Sequence, residues 1–184
     1  SDNVTFTGNL GTFTTTVAST KTLTAAASVA NGKTIDGAGN VAVTALDATA
    51  AANLSSITNS GTRTAAVSDN VTFTGNLGTF TTTVATTKTM TAAANVVAGK
   101  TIDKAGTGAL AVQIATADAA VDLTTIAGSA LSTITVTDNV TFTGTLDDAV
   151  KTSVNGTKTL TIAAAKANGK TIDGAGNVAV TALD

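Results

Sequence analysis

Short runs in which apolar and polar residues alternate recur along the whole chain, among them VTFTG, KTLTA and VAVTAL. Alternation over about four to eight residues, rich in Val, Ile and Thr, is typical of β-strands that bury one face. Asn-Gly and Ala-Gly steps separate many of these runs, and glycine there allows the positive φ that tight turns require. The Ala runs TAAAS and TAAAN can each form a single helical turn. The pattern therefore predicts an all-β chain of short strands joined by tight turns.

The sequence that carries this pattern is repeated three times along the chain. Residues 1–10 return letter for letter at 68–77 and return with two changes at 137–146. The alignment extends to repeats over residues 1–67, 68–136 and 137–184, of which the last is incomplete. Self-similarity at a fixed period indicates a repeat architecture. We therefore interpret residues 1–184 as one continuous repeat array, and we expect it to continue in a longer repetitive chain.

A shorter period lies inside each long repeat and divides it into segments of about 21–24 residues. Most of these segments open with a Leu-x-x-Ile or Leu-x-x-Phe step, whereas those that open with KTID offer one Ile. In a repeat architecture each unit buries its inner face against the next unit. The short period predicts a β-solenoid of about eight coils, with three coils to each repeat of about 67–69 residues. We expect its inward-facing ladder to consist of Leu10, Phe13, Ile35, Leu54, Ile57, Leu77, Phe80, Ile102, Leu123, Ile126 and Ile172.

Composition favours a thin, repetitive core over a compact globule. The chain has five Phe, one Met and no Trp or Tyr, so bulky side chains for the centre of a globule are scarce. A string of small β-sandwich domains is the alternative fold. The long repeat is shorter than the ~100 residues typical of that class, which would also leave the short period unexplained. A disordered Thr/Ala-rich linker is opposed by the regular alternation and by a charged content of only 12%.

The lack of Cys and His in the sequence excludes several kinds of chemistry. Ser-His-Asp and Cys-His catalytic arrangements need one of these residues, and so do metal sites with imidazole or thiolate ligands. All twelve acidic residues are Asp, and the only adjacent pair, Asp147 and Asp148, occurs in one repeat of three. A repeated sequence would also repeat its site, whereas catalysis requires one special cleft. We therefore expect no catalytic activity, no cofactor and no bound metal.

Charge and hydropathy give no indication of a nucleic-acid or membrane partner. The net charge is −2, and the sequence has no basic stripe with interleaved aromatic residues. No apolar run approaches the ~20 residues that a helix needs to span a bilayer. We expect neither nucleic-acid binding nor a membrane span.

Two weaker signals concern possible ligands. The TIDGAG and TIDKAG phrases place Asp36, Asp103 and Asp173 near turn glycines, as calcium-binding repeats do, but the tandem glycine-rich nonapeptide of those repeats is missing. We expect these Asp residues, and the Asp-Asn steps that open each long repeat, to bond their own backbone in turns. Thr-x-Thr pairs could form the regular hydroxyl array that some ice-binding solenoids present, but Thr also suits any solvent-facing strand.

The phrase TLTAAASVANGKTIDGAGNVAVT, followed by NLSSI, resembles repeat regions of very large bacterial surface and secreted proteins, including adhesins and surface-layer-like proteins. The resemblance covers the whole chain and implies an elongated, extracellular protein with a structural or adhesive role. Our hypothesis is a structural segment of an extracellular bacterial fibre, stalk or adhesin at the cell surface. Its partners would be copies of itself, a longer repetitive chain, a surface glycan or another cell. The alternative is a ligand-binding solenoid module for glycan, calcium or ice.

Overall fold

The structure of the chain is a computed structural model, and it describes residues 2–182. Short strands account for most of the regular structure. In chain order they are β1 (Val4–Phe6), β2 (Thr15–Val17), β3 (Thr22–Ala26), β4 (Ile35–Gly37), β5 (Asn40–Thr44), β6 (Arg63–Val67), β7 (Val71–Phe73), β8 (Thr81–Val84), β9 (Thr89–Ala93), β10 (Thr101–Lys104), β11 (Ala109–Ile114), β12 (Leu131–Val136), β13 (Val140–Phe142), β14 (Thr152–Val154), β15 (Thr159–Ala163), β16 (Ile172–Gly174) and β17 (Asn177–Thr181).

Within residues 2–182, α-helical structure is limited to single turns at the positions of the Ala runs. These turns are α1 (Ala27–Ala30), α2 (Ala94–Val97) and α3 (Ala164–Ala167), and each directly follows a strand. Short 3₁₀ turns lie at Leu46–Thr49, Thr116–Asp118 and Leu123–Thr125. The expectation of an all-β chain with single helical turns at the Ala runs is therefore confirmed.

The strands form parallel sheets whose order follows the chain. One six-stranded sheet has the order β1, β3, β5, β6, β8, β10, and another has the order β7, β9, β11, β12, β14, β16. A three-stranded sheet contains β13, β15 and β17, and a two-stranded sheet contains β2 and β4. Every strand pair in the described part of the chain is parallel. Parallel neighbours need a crossover, and here the crossover often carries a strand of a different sheet.

Paired strands lie a nearly constant distance apart along the sequence. Val4 pairs with Leu23 and Thr81 pairs with Thr101, so the step from one strand to its partner is about 20 residues, as in a stack of similar units. The smallest step joins β6 to β8, where Thr64 pairs with Thr81. One of the largest joins β5 to β6, where Val41 pairs with Arg63. Most steps are therefore shorter than the segments that the sequence pattern predicts.

A very short corner joins two strands of different sheets. Strands β4 and β5 are separated by only two residues, so one sequence segment contains the end of one strand and the start of another. Gly37 makes this corner with a φ of 98°. A Cβ atom at Gly37 would lie 2.3 Å from the carbonyl oxygen of Val17, so the neighbouring backbone leaves room for glycine alone.

Equivalent strands of the three long repeats lie in three different sheets. Strands β1, β7 and β13 carry the same VTF sequence, yet each begins its own sheet. If a long repeat contained a whole number of pairing steps, β7 would lie in the sheet of β1. Instead, β6 pairs with β8, and β7 lies in a different sheet. The expectation of three coils per long repeat is therefore wrong, because one long repeat is longer than three pairing steps and shorter than four.

Strand alternation produces the core. In β3, Leu23 and Ala25 are buried while the residues on either side of them are only half-buried. The core is built mainly from Val, Ile, Leu and Ala, and its largest fully buried side chains are Phe73, Phe80 and Phe142. Phe73 and Phe142 are equivalent residues and are equally buried, as the long period predicts. Phe6, their counterpart in the first strand, is partly buried.

Candidate functional surfaces

The residues expected to form an inward-facing ladder are buried in most cases. Those that are fully buried are Ile35, Leu54, Ile57, Leu77, Phe80, Ile102 and Leu123. Three others, Leu10, Ile126 and Ile172, are partly buried and pack against the core. Phe13 is 82% exposed, so the expectation that it faces inward is wrong. Its equivalent Phe80 is only 1% exposed, and the structure provides a physical reason for the contrast.

The reason is that the segment around Leu54 lies over the stretch that leads to Phe80. The Leu54 N–H donates to the carbonyl oxygen of Asn76 at 2.8 Å, and a Cβ atom on Gly78 would lie 2.8 Å from the Leu54 carbonyl oxygen. Within residues 2–182, no segment takes the same place over Phe13. The burial of this position therefore depends on the segment that precedes it in space.

Asn side chains at the start of each long repeat connect neighbouring strands. Their Oδ1 atoms accept hydrogen bonds from backbone N–H groups of the neighbouring strand in the sheet. Asn3 accepts from Thr22 at 2.9 Å, Asn70 from Thr89 at 2.8 Å, and Asn139 from Thr159 at 2.8 Å. The Asp-Asn steps were expected to bond their own backbone. Asp69 does so, since its Oδ1 accepts from the Asn70 N–H at 2.8 Å, but for the three Asn side chains the expectation is wrong. Because each bond satisfies an N–H at the beginning of a strand, the three Asn residues help to fix the register between strands.

The Asp residues of the TIDGAG phrases also bond across strands and not within a turn. Asp36 accepts a hydrogen bond from the Thr16 hydroxyl at 2.7 Å, and Asp173 pairs with the Lys151 ammonium at 2.7 Å. Both Asp residues lie inside short strands, β4 and β16, where the register brings the neighbouring strand within reach. The expectation of self-bonded turns is therefore wrong for these two residues.

The adjacent carboxylates Asp147 and Asp148 have separate local partners. Asp147 Oδ1 accepts hydrogen bonds from the N–H groups of Ala149 at 2.8 Å and Val150 at 3.1 Å. Asp148 forms an ion pair with Lys170. One carboxylate therefore stabilises a turn and the other joins two segments. Among residues 2–182, no group of three or more acidic side chains is placed to hold a metal ion.

Threonines form an outward-facing column across the first six-stranded sheet. The register places Thr5, Thr24, Ala42, Thr64, Thr81 and Thr101 in line, one residue from each strand. The second sheet repeats the start of this column with Thr72, Thr91, Ala111 and Thr133, and the third has Thr141, Thr161 and Ala179. Thr101 belongs to a KTID segment, so these segments contribute to the column as well. Each sheet therefore has a polar outer surface that suits β-structure in water.

Two small pockets occur at equivalent positions of the first and second repeats. One has a volume of about 200 Å³ and is lined by residues of 11–13 and 32–34, and the other has about 180 Å³ and is lined by residues of 78–80 and 99–101. In each pocket a lysine donates to a glycine carbonyl, with Lys33 bonding Gly11 at 2.8 Å and Lys100 bonding Gly78 at 2.6 Å. Each ammonium group therefore already has a protein partner and joins two successive segments.

Two acidic residues at the junction of the first and second repeats have lowered pKa values. Partial burial alone would raise the pKa of Asp47, but hydrogen bonds from the Ser68 N–H at 2.6 Å and the Ser68 hydroxyl at 3.0 Å outweigh it and lower that pKa. A hydrogen bond from Lys88 at 2.9 Å, followed by the Asn70 N–H and the lysine charge, lowers the pKa of Asp69. Both carboxylates therefore favour the folded chain when they are ionised.

Comparison with protein-family models, with curated proteins and with solved structures gives no match for the chain. Among the described residues, no helix is long and apolar enough to cross a membrane. The arguments about function therefore rest on the repeat, the strand register and the uses that the side chains already have.

Proposed function

We propose that the chain is a β-solenoid and that it acts as a structural segment of an extracellular bacterial fibre, stalk or adhesin. The observation that carries this proposal is the register of the sheets. The six strands of the sheet that runs from β1 to β10 pair in parallel at similar steps along the sequence. The six strands of the sheet that runs from β7 to β16 do the same. A chain that winds in coils of about 20 residues produces this pattern on each of its sides.

The three sheets that begin with β1, β7 and β13 would then be three sides of one coil stack. A long repeat would then contain about three and one third coils. Each new repeat would therefore begin on the next side of the stack. Residues 2–182 would make about nine coils. At a strand spacing of about 4.8 Å, the stack would be roughly 40 Å long.

The uses of the polar side chains support a structural role. The Asn residues that open the repeats bond neighbouring strands, and so do Asp36 and Asp173. The two pocket lysines join successive segments through glycine carbonyl oxygens. These groups hold successive segments together, and the outer Thr columns provide a polar surface. The resemblance to bacterial surface repeats supports the extracellular location, and further copies of the repeat or surface glycans are the partners we propose.

The proposal predicts that length grows in equal steps with the number of repeats. A further copy of residues 68–136 inserted after Val136 recreates the existing junction between repeats, since Val136 aligns with Val67. We expect the rod to lengthen by about 16 Å, because the insert adds between three and four coils at about 4.8 Å each. Small-angle scattering and negative-stain microscopy would measure this length.

A matched control keeps the size of the insert but prevents its packing. In the control, Leu77, Phe80 and Ile102 of the inserted copy are replaced by Asn, because all three are buried in the existing second repeat. We expect this insert to add mass without adding a rigid rod. A particle that grows equally in all directions with the unmodified insert would contradict the solenoid and the structural role built on it.

A further inference from the structure

Asn-Gly steps are places where the backbone can attack an asparagine side chain, because glycine has no side chain to hinder the approach. The chain has three such steps, at residues 31–32, 155–156 and 168–169. In this reaction the glycine nitrogen loses its proton and bonds to the asparagine Cγ, ammonia leaves, and a cyclic succinimide forms. Water then opens the ring at either carbonyl and leaves aspartate or isoaspartate.

The rate of this reaction in a folded chain depends on whether the two reacting groups are free. A glycine N–H that donates a hydrogen bond must break that bond before its nitrogen can attack. A side-chain amide that is held by a hydrogen bond must also be released before Cγ can turn towards the nitrogen. Both events require local opening of the structure, which is rare where the backbone is hydrogen-bonded. The structure therefore distinguishes Asn-Gly steps that look alike in the sequence.

The step at Asn31 and Gly32 has both reacting groups bonded. The Gly32 N–H donates to the Asn53 carbonyl oxygen at 2.8 Å, and Asn31 Oδ1 accepts from the Asn53 N–H at 2.8 Å. Asn53 lies 22 residues further along the chain, in the neighbouring segment. One residue of that segment therefore holds both the nitrogen and the side chain that would have to react.

The step at Asn155 and Gly156 lies in a turn that leaves the attacking nitrogen free. Asn155, Gly156 and Thr157 are exposed, and within residues 2–182 the Gly156 N–H makes no hydrogen bond. The turn is closed by the Lys158 N–H, which donates to the Asn155 carbonyl oxygen at 3.1 Å. Thr157 has a φ of 67°, in the left-handed region that residues other than glycine rarely adopt. The reacting pair is thus exposed and lies beside a strained residue.

The same turn occurs in the first two repeats without an Asn-Gly step. The N–H groups of Lys21 and Lys88 close these turns at 3.1 Å, as Lys158 does in the third repeat. The places of Asn155 and Gly156 are taken by Ala-Ser at residues 18–19 and by Ala-Thr at residues 85–86. The turn therefore forms without asparagine, and the third repeat alone has the reactive pair at this corner.

We propose that Asn155 is a site of spontaneous deamidation in the folded chain. The Gly156 nitrogen bonds to the Asn155 Cγ, the bond from Cγ to Nδ2 breaks, and Nδ2 leaves as ammonia with the proton that Gly156 gives up through water. One water molecule then hydrolyses the succinimide to aspartate or isoaspartate at position 155. Water is the only other reactant. This modification goes beyond the structural role and does not depend on it.

The product would alter a corner that has little spare room. Isoaspartate carries the main chain through its side-chain carbons, so the backbone gains one carbon atom between residues 155 and 156. A Cβ atom on Gly176 would lie 2.3 Å from the Asn155 carbonyl oxygen, so the neighbouring segment already packs closely there. On the other side, the Asn155 N–H donates to the Val136 carbonyl oxygen at 3.1 Å. Isoaspartate would therefore disturb contacts on both sides of the corner, whereas aspartate would add only a negative charge.

The test compares Asn155 with Asn31 in the same folded chain. After incubation at mildly alkaline pH, trypsin would release Asn155 in the peptide of residues 152–158 and Asn31 in the peptide of residues 22–33, because lysines flank both. Mass spectrometry would follow the loss of the amide in each peptide with time. We expect Asn155 to deamidate at least about tenfold faster, because Asn31 and Gly32 must first break two hydrogen bonds to Asn53. We leave Asn168 out of this comparison, since the sequence contains no counterpart of Asn53 for it.

Two controls separate the effect of the fold from that of the local sequence. In guanidinium chloride, where the chain is unfolded, both steps should deamidate at similar rates because both are Asn-Gly. The variant G156A keeps Asn155 but hinders the attack. The new Cβ would meet only the Ala175 Cβ at 3.7 Å, and the φ of Gly156 lies outside the left-handed region, so the turn accepts alanine. We expect G156A to slow deamidation of Asn155 several-fold and to leave the melting temperature unchanged.

The outcomes of these measurements are distinct. Faster loss of the amide at Asn155 in the folded chain, with the difference removed by unfolding, would support the proposal. Equal rates at Asn155 and Asn31 in the folded chain would overturn it. A difference of the same size in guanidinium chloride would also overturn it, because the local sequence and not the fold would then be the cause. An intact Asn155 amide in the folded chain, under conditions in which the unfolded chain reacts, would contradict it as well.

Discussion

Phe13 and Phe80 provide a matched pair of substitutions because they occupy the same place in successive repeats. Phe80 is 1% exposed and belongs to the main hydrophobic cluster, whereas Phe13 is 82% exposed. Replacement of either residue by Ala removes the same atoms from the same local sequence, GTFTT. The two variants therefore differ chiefly in how much the surrounding structure covers the side chain.

The expected magnitudes follow from this difference in burial. A Phe→Ala substitution in a packed core costs about 3–5 kcal/mol, because it removes buried apolar surface and leaves a cavity. A substitution at an exposed site without special contacts changes the free energy of unfolding by less than about 0.5 kcal/mol. We therefore expect F80A to destabilise the chain by at least about 2.5 kcal/mol more than F13A does.

Urea unfolding followed by circular dichroism would measure both changes. The slope of the unfolding free energy against urea concentration should be the same in both variants, since a changed slope indicates that the transition no longer involves the whole chain. This check matters in a repeat array, where a local loss can separate one region from the rest. Equal destabilisation by F80A and F13A, at an unchanged slope, would refute the inference that the segment around Leu54 buries Phe80.

Two further predictions concern polar contacts. N70A should lower the free energy of unfolding by about 0.5–1.5 kcal/mol, because the Thr89 N–H loses its acceptor. N95A, at an exposed residue, is the control, and equal losses in urea unfolding would argue against the inter-strand bond. The pKa of Asp47 is depressed in the folded chain, so its contribution is present above the unfolded value of 3.8 and is lost as the pH falls through the folded pKa. D47N should therefore reduce the acid-induced fall in melting temperature between pH 7 and pH 3, and an unchanged pH profile would contradict the bonds from Ser68.

Local features of the fold could be predicted from the sequence because they depend on residues close together in the chain. The VTF triplets form β1, β7 and β13, and the Ala runs form single helical turns. Alternation alone determines which side chains of such strands face the core. Buried ladder residues such as Ile35 and Ile102 were found for the same reason, since each follows a turn and lies in a short strand.

The register between strands could not be predicted, because it depends on how many residues each corner uses. The two-residue corner after Gly37 looks like an ordinary glycine-rich turn in the sequence. Its length nevertheless decides where β5 begins after β4, and hence that Asn40 pairs with Thr22 of β3. The exposure of Phe13 could not be predicted either, because its sequence context is the same as that of Phe80. The two residues differ in the segment that packs against them, and a local sequence pattern does not identify that segment.

The same register explains how equivalent repeats can lie in different sheets without conflict. Strand β3 lies between β1 and β5, β9 lies between β7 and β11, and β15 lies between β13 and β17. Each of these strands therefore has neighbours of the same sequence type, although it belongs to a different sheet. A side chain responds to its neighbours and not to the sheet that contains it, since packing and hydrogen bonding are short-range. The sequence consequently needs to specify only the order of strand types, and the corner lengths then determine the sheet in which each repeat begins.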